Sequence, residues 1–238
     1  NGKMDRRNFM KSIAIAGGMA QVAPEYLTAM VNESTPRPDI LLIMPDQMRG
    51  DCLSAVGHPA VRTPNLDALT RHGALFRRAY TTTASCKPAR YSLLTGLYPQ
   101  TSGVVGFAVK PIKIPTMPEL LSQAGYSTVL VGRNMHQHAD SGACGYQKRI
   151  LGSTYISNDD YDNFLRQQAP QTGGIRKLVK DMGLSYNYWE AKPWPLENRL
   201  HPTEWAIDNS RKVVQQAKPE KPLFLTASFY APHPPLFP

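Results

Sequence analysis

The residues with the clearest chemical potential lie between Cys86 and Gly96. The cysteine begins a predicted short helix with proline in its first turn, Arg90 follows four residues later, and a glycine stands where the helix should end. Free backbone N–H groups and the positive end of the helix dipole would stabilise a negative charge beside Cys86. Arg90 would offer a planar guanidinium to a tetrahedral oxyanion. The stretch therefore predicts an anion site.

Cys86 also has a purely structural interpretation, because free cysteine is among the most buried residue types. A thiolate phosphatase is disfavoured by the spacing. The phosphate-binding loop of such an enzyme needs arginine six residues after the cysteine, and this chain has Ser92 there.

Polar side chains follow three predicted strands, over residues 39–44, 126–131 and 222–229. They are, in order, Asp46 with Gln47, Arg133 with His136 and His138, and His233. Ligands of open α/β sheets gather at the carboxyl ends of the strands, so these side chains are candidates for chemistry. Each also has a simpler alternative: a turn residue for the aspartate, and a surface or packing role for a lone histidine.

The elements between these strands predict an α/β layered fold. Capped helices are predicted over residues 63–73, 116–125 and 201–217, with a short strand over 74–82. The first predicted strand, over residues 39–44, is a continuous apolar run with apolar residues on both faces, which is typical of a central parallel strand. Residues 140–200 are rich in Gly, Pro, Asn, Asp and Tyr and predict long loops with short helices, one of them starting near Asp159. Aromatic residues there, such as Tyr155, would either stack on sugar rings or pack internally.

Composition supports an ordinary globular chain. Of the 238 residues, 42% are hydrophobic and 19% are charged. A net charge of +9 favours anionic substrates, and no basic cluster with interleaved aromatic residues indicates nucleic-acid binding. The three cysteines are too few for a disulfide framework or a zinc site; Cys52 and Cys144 are predicted to be packing residues, with a disulfide between them as the alternative.

The N-terminal region resembles an export signal. Arg6 and Arg7 precede Phe9-Met10-Lys11 and a short apolar run over residues 12–20, an order typical of the twin-arginine signal. The alternative is a basic amphipathic helix. We therefore predict a signal segment and linker over residues 1–35, export by the twin-arginine machinery to the bacterial periplasm or beyond, and no stable membrane anchor.

The pattern Cys86-Lys87-Pro88-Ala89-Arg90, with Thr95-Gly96 after it, resembles the signature of the formylglycine-dependent sulfatases. Three further stretches match the same family: the strand that ends at Asp46, the segment Gly132–His136 and the segment Phe229–Pro235. They follow one another along the chain in the order that the family has. The resemblance implies the alkaline-phosphatase-like sandwich, with a large, mixed, mostly parallel sheet and helices on both faces. It also implies that residues 36–238 are the N-terminal part of the catalytic domain, truncated at the C-terminal side.

The resemblance implies roles for particular residues. A maturase would convert Cys86 to formylglycine, whose hydrate is the nucleophile, and Arg90 would support it. Asp46, Gln47 and Cys86 would bind a divalent cation, Ca²⁺ in the first instance, with Mg²⁺ and Mn²⁺ as alternatives. Arg133 would contact the sulfate, His136 would be the histidine of the same motif, and His233 would be the acid for the leaving group.

This chain departs from the family pattern in three places. Gln47 stands where a second aspartate is usual, Arg133 replaces a lysine, and His136 lies one residue later than usual. Further metal ligands of the family fall after Pro238, so we expect this chain alone to bind metal poorly and to be nearly inactive. The expected substrate is a sulfated small molecule or glycan. The alternatives are a phosphonate or phosphate ester hydrolase of the same fold, and a non-catalytic module that binds anionic glycans.

Overall fold

The computed structural model describes residues 37–108, 110–136 and 142–238. The predicted twin-arginine signal and the linker to residue 35 lie outside the described residues, as does His138. Both the signal and the domain boundary at residue 36 therefore stay predictions.

The described part of the chain contains a sheet of four parallel strands. They are β1 (Ile40–Pro45), β2 (Ser127–Gly132), β3 (Lys148–Leu151) and β4 (Leu223–Phe229), in the spatial order β1-β4-β2-β3. The register pairs Gly132 with Ser228 and Pro45 with Phe229, so β1, β2 and β4 end at the same edge of the sheet. The α/β architecture predicted from the sequence is confirmed.

Helices cover the sheet on both faces. The α-helices of the described residues are α1 (Pro64–His72), α2 (Cys86–Thr95), α3 (Pro99–Ser102), α4 (Met117–Gln123), α5 (Asp160–Gln168), α6 (Ile175–Asp181) and α7 (Pro202–Gln215). Neighbouring side chains of β2 enter different clusters: Leu130 packs with Leu94 of α2, whereas Val131 packs with Val213 of α7. Successive residues of a strand point to opposite faces, so this split places α2 and α7 on opposite sides.

The helix ends follow the sequence signals closely. Thr116 and Glu119 form the predicted capping box at the start of α4. Gly96 ends α2 with φ +70, the left-handed conformation that glycine adopts without a Cβ penalty. The bounds of α1, α4 and α7 agree with the predictions to within about two residues.

Three predicted strand features are wrong or incomplete. Residues 74–82 form turns instead of a strand, and their aromatic side chains Phe76 and Tyr80 are exposed. The sequence did not reveal β3, a short strand that gains its partners only by pairing with β2. β1 is an edge strand in the described part of the chain, with Leu41 and Ile43 about half exposed, although its apolar run predicts a central one. Within the described residues, no helix has the length and apolar character needed to cross a membrane.

Candidate active site at the carboxyl ends of the strands

The ends of three adjacent strands bring the predicted site residues together. The backbone N–H of Asp46 bonds to Phe229 O at 3.1 Å, and that of Arg133 bonds to Ser228 O at 2.7 Å. These bonds continue the sheet pairing one residue past β1 and β2, which fixes where both side chains leave the backbone. Gly132 permits the close approach, because a Cβ there would lie 2.1 Å from Ser228 O.

Two buried arginines share the single carboxylate of Asp46. Arg90 Nη2 lies 2.7 Å and Arg133 Nη1 lies 2.6 Å from Asp46 Oδ2. All three residues are at most 6% exposed. The Arg133 contact is an ion pair without hydrogen-bond geometry, and within the described residues Nη1 has no other hydrogen-bond acceptor. We call Asp46, Arg90 and Arg133 the floor of the site.

Arg90 is fully engaged by protein groups. Besides Asp46, its guanidinium donates through Nη1 to Asn134 O at 3.2 Å and to Ser228 Oγ at 3.1 Å. Burial lowers the pKa of Arg90, and the adjacent Asp46 carboxylate opposes that effect. In the described residues the guanidinium holds the Asp46 carboxylate, the Asn134 carbonyl and the Ser228 hydroxyl. A contact of Arg90 with an oxyanion or with the nucleophile stays a prediction.

Cys86 begins α2 on the same side of the site and is half-buried. Arg90, one helical turn further along α2, pairs with Asp46, which places the start of α2 beside the floor. Lys87, the next residue, influences the pKa of His136, and its Nζ donates to Phe107 O at 3.3 Å. The helix start predicted as an anion site thus lies next to the buried arginines.

His136 is held neutral by its surroundings. Burial, together with the charges of Arg133, Arg90, Lys87 and His233, lowers its pKa from 6.5 to about 3. Arg133 Nε donates to His136 Nε2 at 2.9 Å, so the proton of the neutral ring is on Nδ1. The Tyr155 hydroxyl lies 2.9 Å from both ring nitrogens. His136 has φ +56. Such a conformation costs free energy in a residue with a Cβ and is concentrated at functional sites.

Tyr155 and Tyr230 complete the site from two other parts of the chain. The guanidinium carbon of Arg133 lies 4.6 Å from the centre of the Tyr230 ring and 5.6 Å from that of Tyr155. The Tyr155 hydroxyl donates to Asn134 Oδ1 at 3.1 Å. Burial raises the pKa of each tyrosine to about 12, so both hydroxyls keep their protons at neutral pH.

His233 contacts this cluster from the segment after β4. Its ring lies 4.9 Å from the Tyr230 ring, and its Nδ1 lies 2.6 Å from Pro234 O. A carbonyl oxygen only accepts, so Nδ1 carries a proton and Nε2 is the atom left for other partners. Half-buried side chains above the floor form what we call the rim: Cys86, Lys87, His136, Tyr155 and His233.

The described residues do not by themselves form a divalent-cation site. They contain no group of three or more His, Cys, Asp or Glu side chains suited to a metal. Asp46 is paired with two arginines, and Gln47 is exposed with φ +64. A hard cation prefers several oxygen ligands and would compete with both guanidiniums for the one carboxylate. Asp46 and Gln47 as metal ligands therefore stay a prediction.

Sequence reasoning missed three contributors to the site. From the sequence, Ser228 is predicted only as part of a strand and Tyr230 has no assigned role. Tyr155 is predicted either to pack internally or to stack on a sugar ring. A usable signal existed for Ser228 and Tyr230, since both lie at the end of the same strand that delivers His233. No local signal marks Tyr155, because it comes from the loop after β3.

Fold and site together define a class: an α/β protein whose parallel strands end at a positively charged site, with a cysteine at the adjacent helix start. The Sulfatase family model matches residues 38–238. The chain belongs to the sulfatase family, and its fold is that of the alkaline phosphatase superfamily.

Individual relatives agree with this assignment. The chain is 36% identical over 216 residues to an arylsulfatase of Clostridium perfringens, covering 85% of this chain and 44% of the relative. It is 28% identical over 213 residues to human iduronate 2-sulfatase, covering 86% of this chain and 36% of that enzyme. The chain thus spans less than half the length of these relatives.

A solved structure also matches. The phosphonate monoester hydrolase of Agrobacterium radiobacter superposes with a TM-score of 0.65 at 29% identity, covering 85% of this chain and 42% of the hydrolase. The likeness extends the family assignment to the three-dimensional fold.

Proposed function

We propose that the protein of which this chain forms a part hydrolyses sulfate esters at the rim and floor described above. The observation that carries the proposal is the charge of the floor. In the floor, Arg90 and Arg133 carry two positive charges and Asp46 carries one negative charge. His136 on the rim is neutral, because its pKa is about 3. One positive charge remains in excess, in surroundings where burial strengthens its attraction for an anion.

The side chains of the site have different proposed roles. Arg133 and the N-terminus of α2 attract the sulfate, Arg90 fixes Asp46, and Tyr155 fixes the ring of His136. We propose that His233, whose Nδ1 proton is held by Pro234 O, delivers a proton from Nε2 to the ester oxygen as the leaving group departs.

Sulfatases generally depend on a formylglycine made from cysteine, which supplies the nucleophilic oxygen, and on a divalent metal. Cys86 fits the modification, because it is half-buried at a helix start beside positive charges. The divalent metal has no comparable support in the described residues. The described residues do not form a site for it, so none of the roles proposed here for the side chains depends on it.

The decisive experiment combines modification with turnover. The 238-residue chain is produced together with a formylglycine-generating maturase, and the Cys86 peptide is analysed by mass spectrometry. We expect loss of sulfur and gain of oxygen at Cys86. In the longer protein of which this chain forms a part, we expect cleavage of 4-nitrophenyl sulfate above that of its Cys86→Ala variant. An unmodified thiol together with no cleavage would contradict the proposal and favour a module that only binds anions.

A second candidate function is phosphonate ester hydrolysis. Two observations favour it: the superposition on a phosphonate monoester hydrolase, and Gln47 in place of a second aspartate. Parallel assays on 4-nitrophenyl sulfate and 4-nitrophenyl phenylphosphonate separate the two. A larger kcat/KM on the phosphonate would reverse our choice.

A further inference from the structure

The Tyr230 ring contacts two of the side chains that are proposed to act on the ester. The guanidinium carbon of Arg133 lies 4.6 Å from the centre of this ring, and the His233 ring lies 4.9 Å from it at an angle of 55°. Arg133 is proposed to attract the sulfate, and His233 to protonate the ester oxygen. Tyr230 touches both groups and has no proposed role of its own.

Arg133 owes part of its placement to this ring. Its Nε donates to His136 Nε2 at 2.9 Å, and its Nη1 lies 2.6 Å from Asp46 Oδ2. The negative face of the Tyr230 ring adds a third attraction, which acts on the positive charge as a whole. Arg133 is buried, so water screens this attraction little.

His233 is held by Tyr230 in two ways. The backbone N–H of His233 donates to Tyr230 O at 3.0 Å, and the two side-chain rings are in contact. The backbone bond is available whichever side chain stands at position 230. A substitution of Tyr230 therefore removes the ring contact and leaves the backbone bond in place.

The Tyr230 ring is itself fixed by other aromatic side chains. It is 8% exposed, and the Tyr155 ring lies 5.7 Å from it. Tyr155 in turn meets Tyr186 edge-on at 6.4 Å, and the Tyr186 hydroxyl donates to Thr154 O at 2.6 Å. A ring packed in this way keeps one orientation, so the groups that contact it are held at a fixed separation.

We propose that Tyr230 is a positioning residue for hydrolysis of the ester: its ring sets the separation between the arginine that binds the sulfate and the histidine that protonates the leaving group. The inference rests on the proposed function, since it takes Arg133 and His233 in the roles given there. The ring and not the hydroxyl has this role, because both contacts are made by the ring. Misplacing a reacting group by about 1 Å can lower a rate about 100-fold.

The test compares two esters whose leaving groups differ in their need for a proton. The longer protein of which this chain forms a part is produced with the maturase and assayed on 4-nitrophenyl sulfate and phenyl sulfate. The nitro group stabilises the departing phenolate, whereas unsubstituted phenolate is more basic and depends more on an acid. The ratio of the two kcat/KM values therefore measures protonation by His233.

Three substitutions give the expected pattern. His233→Ala should lower kcat/KM for phenyl sulfate about 100-fold more than for 4-nitrophenyl sulfate, because general acid catalysis contributes about 10²–10⁴-fold. Tyr230→Leu should change the same ratio about ten-fold in the same direction, because a misplaced acid transfers its proton less well. By isothermal titration it should also raise the Kd of inorganic sulfate about ten-fold, because an attraction that places Arg133 is lost. Tyr230→Phe keeps the ring, so both quantities should stay within about three-fold of those of the unsubstituted protein.

Two further proteins separate positioning from a loss of packing. Tyr126→Leu removes a tyrosine ring of similar burial, 7% exposed, at the end of β2 opposite to Arg133. It should leave the ratio and the Kd of sulfate unchanged. A fluorinated phenylalanine at position 230 keeps the shape of the ring but withdraws its negative face, so it should weaken sulfate binding as Tyr230→Leu does. It decides the question if Tyr230→Leu does not fold.

The outcomes distinguish this inference from the proposed function. An unchanged ratio and an unchanged Kd of sulfate in Tyr230→Leu, or an equal loss in Tyr230→Phe, would overturn the inference and leave the sulfatase proposal standing. An unchanged ratio in His233→Ala would contradict the acid role of His233, and the inference with it. No cleavage of either ester by the unsubstituted protein would contradict the proposed function. The Kd values of sulfate for Tyr230→Leu and Tyr230→Phe would then decide the inference alone, and equal values would overturn it.

Discussion

Two buried carboxylates of this protein, Asp46 and Asp162, are held in opposite ways. Asp162 is 0% exposed and accepts hydrogen bonds from the backbone N–H of Asn158 at 2.9 Å and of Ile175 at 2.7 Å, and from Arg166 Nε at 2.8 Å. Asp46 is 6% exposed, and its side chain is paired with two arginines that come from α2 and from the end of β2.

The difference separates a structural carboxylate from one at the proposed sulfate site. Burial raises the pKa of Asp162, but its three hydrogen bonds outweigh that effect and leave the pKa lowered. One arginine balances its charge, and two of its donors are backbone groups of its own region. At Asp46 the partners are long charged side chains from distant elements, and they leave a positive charge in excess. Only the arrangement at Asp46 leaves a positive charge that attracts an external anion.

The largest expected effect is on folding through Asp162. Asp162→Ala removes the acceptor for two buried backbone N–H groups and one arginine, so we expect the free energy of unfolding to fall by about 3–5 kcal/mol. Urea denaturation measures it. Asp208→Ala, at an exposed carboxylate 3.6 Å from Arg211, is the matched control and should change stability by under about 0.5 kcal/mol. Similar losses in both variants would contradict a special role for Asp162.

Asp46→Asn tests whether an anion can replace the missing charge. Without sulfate, two buried guanidiniums lose the carboxylate that they share, and we expect a loss of about 3 kcal/mol. Sulfate should restore much of that loss, because it can occupy the same positive field. Sulfate also stabilises folded proteins in general, because it is excluded from their surface. The recovery of Asp46→Asn is therefore compared with that of Asp162→Ala at the same sulfate concentration. Equal recovery of the two variants would remove the distinction drawn between the two carboxylates.

Arg133→Ala should weaken binding of sulfate rather than folding. We expect the Kd for 4-nitrophenyl sulfate to rise about 30-fold, equivalent to about 2 kcal/mol, because a charged donor at the floor is lost. Isothermal titration gives the value. Arg166→Ala, at the arginine paired with Asp162, serves as the control and should leave the Kd unchanged. If both variants weakened binding alike, the arginines would act only through the net charge of the protein.

The lowered pKa of His136 predicts that the free energy of unfolding falls in acid. Its pKa is lowered from 6.5 to about 3 in the folded protein, so the unfolded chain binds more protons between these two values. The contribution of His136 is complete above pH 6.5 and is lost as the pH falls towards 3, by about 1.4 kcal/mol per pH unit. Between pH 7 and 5 the unmodified protein should therefore lose about 2 kcal/mol more than His136→Asn.

The reference variant is chosen to isolate this titration. Asparagine tolerates the left-handed backbone found at His136 and does not titrate. Asp159 works in the opposite direction, because burial raises its pKa to about 6 and its contribution falls as the pH rises. Both proteins contain Asp159, so its effect cancels in the difference. Parallel stability curves for the two proteins would show that His136 does not titrate as described.

The smallest expected effect is that of calcium on this chain. The Asp46 carboxylate is engaged by Arg90 and Arg133, and the described residues hold no other carboxylate cluster, so millimolar Ca²⁺ should leave the melting temperature unchanged. Differential scanning calorimetry with and without EDTA measures it. A rise in Tm that Asp46→Asn removes would mean that the cation displaces the arginines.

The local elements were largely predictable, because their signals lie within a few residues. The Cys86 helix with its glycine end, the Thr116 capping box and the buried run of β4 all formed as the sequence predicted. The strand predicted over 74–82 did not form, because apolar residues alone do not make a strand without a partner to pair with. β3 shows the converse, since only pairing with β2 makes it a strand.

The sequence by itself determined which residue types would meet in the site: Asp46, Arg133 and His233 each follow a strand, and parallel strands end at one edge of a sheet. Only the tertiary structure decided how they are used. Whether Arg90 faces an oxyanion or Asp46 depends on the separation of α2 and β1, and Tyr155 reaches His136 from a loop beyond β3. Such contacts join residues tens of positions apart, and their distances are set by the packing of the whole sheet and its helices.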